Sequence, residues 1–110
     1  MKLPNGDQAV IDTRKIHDYC LNPDHELGRQ KARLFSDILG IGQSNASRLE
    51  EALAIAALTG EVSIGRSDAY GTRYLVDFVM QHGARSATVR SSRIILSGDS
   101  IPRLVTCYIL

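Results

Sequence analysis

The spacing of apolar residues changes at Gly60, and this change constrains the fold more than any other feature of the chain. Before Gly60, apolar side chains recur every three or four positions, as on one side of a helix: Leu34, Phe35, Ile38 and Leu39, then Leu49, Ala52, Leu53, Ala56 and Ala57. After Gly60 they alternate, as on a strand with one buried face: Tyr74, Val76, Phe78 and Met80. Helices followed by strands predict an α+β domain.

Capping and turn residues set the predicted boundaries. Helices are predicted over residues 12–20, 28–39 and 44–59, beginning at Asp12 as an N-cap and ending at glycines 40 and 60 for the last two. Strands are predicted over residues 73–80, 85–96 and 103–110, and residues 62–64 could add a short edge strand. The turns between the last three strands are of hairpin length. We therefore expect N-terminal helices on one face of a 3–4-stranded antiparallel meander.

The length of the chain favours one domain over residues 1–110, with a helical part at about 12–60 and a sheet part at about 61–110. The strand alternation assigns side chains to the two faces of the sheet. The side chains that we expect to be among the most buried are Phe35, Leu39, Leu53, Val76, Phe78, Val89 and Val105. The side chains expected on the outer, polar face are Arg73, Asp77, Thr88, Arg90, Ser92, Thr106 and Tyr108.

Composition argues against several classes of protein. A net charge of +1 argues against strong nonspecific binding to nucleic acid. The two cysteines, Cys20 and Cys107, are far apart in the chain and lack metal-ligand spacing, which predicts buried, reduced thiols and a cytoplasmic protein. The first residues have no signal-peptide pattern and no apolar run reaches membrane length, so we expect no membrane association.

The start of the second predicted helix is unusual because it carries cations. Gly28 lies at the helix start, and Arg29, Lys31 and Arg33 lie in its first turn and a half. A helix N-terminus favours negative charge, so cations there indicate either a bound anion or a solvated basic surface.

Lys31 and His25 are the two residues of this region that could carry chemistry. Lys31 precedes Leu34, Phe35 and Ile38 by three, four and seven positions, which places it on the inward-facing stripe of the helix. Its ammonium group therefore either reaches past the core to water or points at a site. His25 lies in the preceding loop, and a histidine can accept or donate a proton near neutral pH.

No motif in the chain indicates a cofactor or a metal. The sequence has no phosphate loop, dinucleotide fingerprint, Cys/His metal spacing, nucleophile elbow or cluster of carboxylates. We therefore expect no cofactor and no metal site. Cleavage of RNA by its own 2′-hydroxyl suits such a domain, because it needs only a base, an acid and positive donors around the phosphorus.

Two segments of the chain together resemble a family of small, uncharacterised bacterial domains. The segment Tyr19–Gly40 fits the pattern Y-x-L-N-x-x-H-x-x-G-x-x-K-A-x-x-F. The segment Arg103–Tyr108 fits R-L-x-T-x-Y. The resemblance extends from Leu3 to Leu110, which is nearly the whole chain.

The layout is more remotely similar to ribonuclease toxins of the barnase–EndoU–colicin–RelE group. Those domains place helices before an antiparallel sheet whose open face holds the active site. The resemblance implies a site shared between the helical part and the last strands. The catalytic residues that it implies are His25, Lys31 and Tyr108, and the substrate- or phosphate-binding residues are Arg90, Ser92 and Thr106.

These observations predict a metal-independent, toxin-like endoribonuclease that cleaves RNA by 2′-hydroxyl transesterification. One alternative is a non-catalytic module that binds an immunity or antitoxin-like protein. Another is a module that forms a homodimer through its exposed sheet face or edge. The enzyme requires the histidine, the lysine, the arginine and the tyrosine of the implied site to converge in space.

Overall fold

The computed structural model describes residues 1–110, and all three predicted helices are present within two residues of their expected ends. Helix α1 has an α-helical turn at Thr13–Lys15 that continues as a π-helical turn at Ile16–Cys20. Helix α2 likewise has an α-helical part, Arg29–Leu34, and a π-helical end, Phe35–Leu39. Helix α3 spans Ala46–Thr59. None of these helices combines the length and apolar character needed to cross a membrane.

The predicted caps of the first two helices are confirmed. The carboxylate of Asp12 accepts the backbone N–H of Arg14 at 2.9 Å and so satisfies a free donor at the start of α1. Gly40 ends α2 with a φ of 68°, a left-handed conformation that glycine adopts without strain.

Four strands form one antiparallel sheet with the order β1-β2-β3-β4. They span Glu61–Asp68, Gly71–His82, Arg85–Leu96 and Arg103–Ile109, respectively. The meander is therefore confirmed, with a first strand longer than the expected 62–64. Because the chain order equals the spatial order, β1 and β4 are the two edges of the sheet.

The helices cover one face of this sheet, as predicted, and most of the expected core is confirmed. Phe78 is only half-buried, although it packs against both clusters of buried apolar side chains. The expected core residues with no exposed surface are Phe35, Leu39, Leu53, Val76 and Val89.

The prediction that Val105 is buried is wrong. Val105 is 36% exposed, whereas its neighbour Leu104 is only 2% exposed. The cause is a β-bulge: Ser92 pairs with Thr106, but the next residue of β3, Arg93, pairs with Leu104, which leaves Val105 unpaired. One extra residue on a strand reverses the inward and outward alternation on its far side.

Beyond the bulge, the predicted register of β4 is confirmed. Cys107 and Ile109 are buried, whereas Tyr108 is half-buried and lies on the opposite face. Cys20 and Cys107 are both free and buried, as expected. Interaction with the Cys20 thiol, together with burial, raises the pKa of Cys107 well above its ordinary value.

Arg93 is a core residue that the strand pattern did not predict. Its guanidinium has no exposed surface and donates from Nη2 to the carbonyl of Leu53 at 2.9 Å and from Nε to Oγ of Ser91 at 3.2 Å. Nη1 is buried without a partner. Burial lowers the pKa of Arg93 to about 10, because water no longer stabilises the charged form. The side chain thereby joins β3 to α3 through the centre of the domain.

Candidate functional site

The ammonium group of Lys31 lies at the centre of a polar cluster beside β4. Nζ donates to the hydroxyl of Tyr19 at 3.0 Å and to Oγ1 of Thr106 at 3.3 Å. The same nitrogen lies 5.1 Å from the ring centre of Tyr19 and 5.3 Å from that of Tyr108. We call Tyr19, His25, Lys31, Thr106 and Tyr108 the Lys31 cluster. Lys31 is half-buried. Its side chain points inward, as the helix spacing predicts, and its ammonium group contacts other polar side chains there.

His25 joins this cluster through Tyr19. The two rings meet edge to face, with centres 4.9 Å apart and an angle of 73° between their planes. Nδ1 of His25 accepts the backbone N–H groups of Leu27 and Gly28, each at 3.0 Å. The proton of the neutral imidazole therefore sits on Nε2, which leaves that nitrogen as a hydrogen-bond donor.

The hydrogen bonds of His25 decide between the two interpretations of the basic helix start. The N–H groups of Leu27 and Gly28 bind the imidazole and are not available to an anion. Arg29 and Arg33 are exposed. The structure therefore favours the solvated basic surface over an anion held at the start of α2.

Gly28 is required by the close approach of this loop to α1. A β-carbon built on Gly28 would overlap the carbonyl oxygen of Tyr19 and lie 3.0 Å from Cδ1 of its ring. The missing side chain thus lets the loop that carries His25 pack directly on Tyr19.

Replacing Gly28 with alanine is expected to lower the free energy of unfolding by about 1–3 kcal/mol, because the extra methyl group must displace backbone rather than a flexible side chain. Gly42→Ala is the matched control, since a methyl group there meets nothing within 4 Å and φ is an ordinary −145°. Urea unfolding of both variants measures the difference. Equal stability of the two would show that the loop can move away from Tyr19 at no cost.

Arg90 extends the cluster along the open face of the sheet. It lies opposite Tyr108 in the β3–β4 register, and Ser92 lies opposite Thr106. Arg90 also forms a two-pronged ion pair with Asp77, with distances of 2.8 Å from Nε and 2.9 Å from Nη2. Asp77 therefore accepts hydrogen bonds from two of the three guanidinium nitrogens of Arg90.

Each partner of this ion pair shifts the titration of the other. Hydrogen bonding to Asp77 raises the pKa of Arg90, and hydrogen bonding to Arg90 lowers the pKa of Asp77. Because the carboxyl pKa is lowered, the stability that the pair contributes is present at neutral pH and is lost as the pH falls through the lowered value. Both side chains are about one-third exposed, so solvent screens the pair and its contribution to stability is small.

All six residues implied by the sequence resemblance lie in one continuous region. His25, Lys31, Thr106 and Tyr108 belong to the Lys31 cluster, and the remaining two are their cross-strand neighbours on β3. The region also contains Tyr19 and Asp77, to which the sequence analysis assigned no role. Tyr19 is part of the family sequence pattern, and Asp77 is on the predicted polar face of the sheet. The contact partner of each depends on tertiary packing.

The region is an open surface rather than a deep pocket. None of the four clefts on the molecule is lined by Lys31, Thr106 or Tyr108. One cleft, with a volume of about 320 Å³, lies on the other side of α2 and is lined by Arg29 and Arg33, among others. No three His, Cys, Asp or Glu side chains are grouped in a way that could hold a metal ion.

Both a protein family and a solved structure match nearly the full length of the chain. Residues 2–110 match the family described as Domain of unknown function (DUF6883). The chain belongs to this family. The DUF6883 domain is also similar to a chain of the contact-dependent growth inhibition toxin–immunity protein complex from Klebsiella pneumoniae 342, with a TM-score of 0.69 and 18% identity over 94% of this chain and 95% of that chain. At this level of identity the likeness establishes a common fold. No curated protein matches this chain significantly in sequence.

Proposed function

We propose that this DUF6883 domain is the toxic component of a toxin–immunity system and cleaves RNA without a metal ion. The observation that carries the proposal is the convergence of Lys31, Thr106 and Tyr108 beside Arg90 on one accessible surface. A cation, hydroxyl groups and a guanidinium are the donors that a phosphate group in transesterification requires. The fold that the domain shares with a chain of a growth inhibition toxin–immunity complex supports the biological setting.

In the proposed reaction, the 2′-oxygen of a ribose attacks the adjacent phosphorus, and the bond from phosphorus to the 5′-oxygen breaks. The proton of the 2′-hydroxyl passes to solvent, and the hydroxyl of Tyr108 protonates the departing 5′-oxygen. The Lys31 ammonium and the Arg90 guanidinium stabilise the negative charge on the phosphorane. His25 donates a hydrogen bond from Nε2 to the same phosphorane.

Thr106 and Ser92 hold the sugar–phosphate backbone in this proposal. The two residues are cross-strand neighbours, and Oγ1 of Thr106 accepts a hydrogen bond from Lys31. The products are a 2′,3′-cyclic phosphate and a 5′-hydroxyl, and neither a metal ion nor a cofactor takes part.

The proposal is tested with a DNA oligonucleotide that contains a single ribonucleotide, compared with the all-DNA and all-RNA forms. We expect cleavage of the all-RNA form and, in the chimera, cleavage only after the ribonucleotide, with a cyclic phosphate detected by mass spectrometry and no effect of EDTA. Lys31→Met should lose the activity, which excludes a contaminating nuclease as its source. Lys2→Met is the control and should keep the activity, because the Lys2 ammonium group contacts the start of β1 and the end of α3. Cleavage of DNA at the same rate, or loss of activity in EDTA, would refute the mechanism.

One observation favours a second function, in which the sheet face binds a protein. Val79 is 67% exposed on the same face as Arg90 and Asp77, so the polar surface carries an apolar side chain. The related complex contains both a toxin and an immunity protein, and the shared fold is compatible with either role. If no RNA is cleaved, the domain is instead a module that binds an immunity-type partner or a second copy of itself. Light scattering of the wild type and of Val79→Asp then tests for a homodimer.

A further inference from the structure

Tyr19 contacts two members of the Lys31 cluster, Lys31 and His25, although the sequence analysis assigned it no role. Its hydroxyl accepts a hydrogen bond from Nζ of Lys31 at 3.0 Å. Its ring packs edge to face against His25, and its carbonyl oxygen and ring leave no space for a β-carbon at Gly28. The next residue, Cys20, places its sulfur 3.9 Å from Oγ1 of Thr106. Tyr19 thus links the loop to α2, and β4 is reached through its two neighbours in the structure, Lys31 and Cys20.

We infer that Tyr19 is a positioning residue that holds the ammonium group of Lys31 against Thr106 and fixes the ring of His25. The consequence for catalysis rests on the proposed ribonuclease function. The contact between the hydroxyl and the ammonium group is a property of the folded domain and can be measured whether or not RNA is cleaved.

The physical argument concerns the freedom of the lysine side chain. Four flexible carbons join the ammonium group to the backbone, and ordering them costs rotamer entropy. A single hydrogen bond to Thr106 would leave Nζ free to pivot about that oxygen. The Tyr19 hydroxyl supplies a second acceptor from α1, so the position of the charge is defined from two sides. A displacement of about 1 Å in a catalytic group can lower a rate by up to about 10²-fold.

The test is Tyr19→Phe, which removes the hydroxyl and keeps the ring that packs on His25. We expect kcat for RNA cleavage to fall by about 10–100-fold while KM changes little, because the substrate contacts remain and only their alignment is lost. Tyr70→Phe is the matched control, since the Tyr70 side chain lies at the β1–β2 turn and is 75% exposed. An unchanged kcat in Tyr19→Phe would overturn the inference, whatever happens to stability.

A second measurement does not depend on activity. The Lys31 ammonium signal in nitrogen-15 NMR spectra, assigned by its loss in Lys31→Met, should shift or disappear in Tyr19→Phe and stay unchanged in Tyr70→Phe. An unchanged signal in Tyr19→Phe would overturn the inference. If the wild type cleaves no RNA, the proposed function fails, and this signal alone decides whether Tyr19 positions Lys31.

Discussion

Replacing His25 with asparagine is expected to slow RNA cleavage by about 10²–10³-fold without unfolding the loop. In the structure, Nδ1 accepts the N–H groups two and three residues further along the chain. An asparagine side-chain oxygen makes the same pair of contacts in Asx turns and helix caps. The variant therefore keeps the structural role of His25 and removes the donor at Nε2. Single-turnover cleavage measures the loss.

His25→Ala separates the two roles further. It removes the Nε2 donor and also the Nδ1 acceptor of the Leu27 and Gly28 N–H groups. The cleavage rate should therefore match that of His25→Asn, and the free energy of unfolding should fall by about 0.5–2 kcal/mol. His17→Asn is the control, because that ring is exposed and bonded only to Asp18. If His25→Asn cleaves RNA at the wild-type rate, His25 takes no part in the reaction.

The pH–rate profile then distinguishes a donor from a group that transfers a proton. A fixed donor leaves the profile of His25→Asn with the shape of the wild type, only lower. A limb that is present in the wild type and absent from the variant would show that His25 itself exchanges a proton with the substrate.

The second large effect is expected at the β-bulge. Leu104→Ala should lower the free energy of unfolding by about 2–5 kcal/mol, because Leu104 belongs to the main core cluster and its removal leaves a cavity. Val105→Ala should cost no more than about 0.5 kcal/mol, because Val105 points to solvent. Urea unfolding monitored by circular dichroism compares the two. A strand without the bulge would give the reverse order, so the comparison tests the register directly.

The helices and strands were predictable because the residues within each segment determine its type and its ends. The 3.6-residue period defined α2 and α3, the two-residue period defined β2 and β3, and Asp12 and Gly40 marked helix ends through their own chemistry. The direction of Lys31 followed from the same helical period. These features need no knowledge of which segment packs on which.

The errors have the opposite origin. The burial of Leu104 in place of Val105 depends on pairing with Arg93, and it is accompanied by a bond from the Leu104 N–H to the carbonyl of Val10, far away in the chain. The burial of Arg93 depends on a carbonyl that α3 offers to it. The role of Tyr19 depends on a lysine 12 positions later reaching back across α1. Each is fixed by a tertiary partner, which a local pattern does not specify.

The hydrogen bond from Lys31 to Thr106 joins residues 75 positions apart, and this separation ties any activity to completed folding. Closing a loop of that length costs about 4 kcal/mol in chain entropy, which only the assembled sheet and its core can offset. The helical half alone carries a lysine and a histidine but lacks the last strand that faces them. A chain emerging from the ribosome therefore presents no assembled site until β4 has paired with β3.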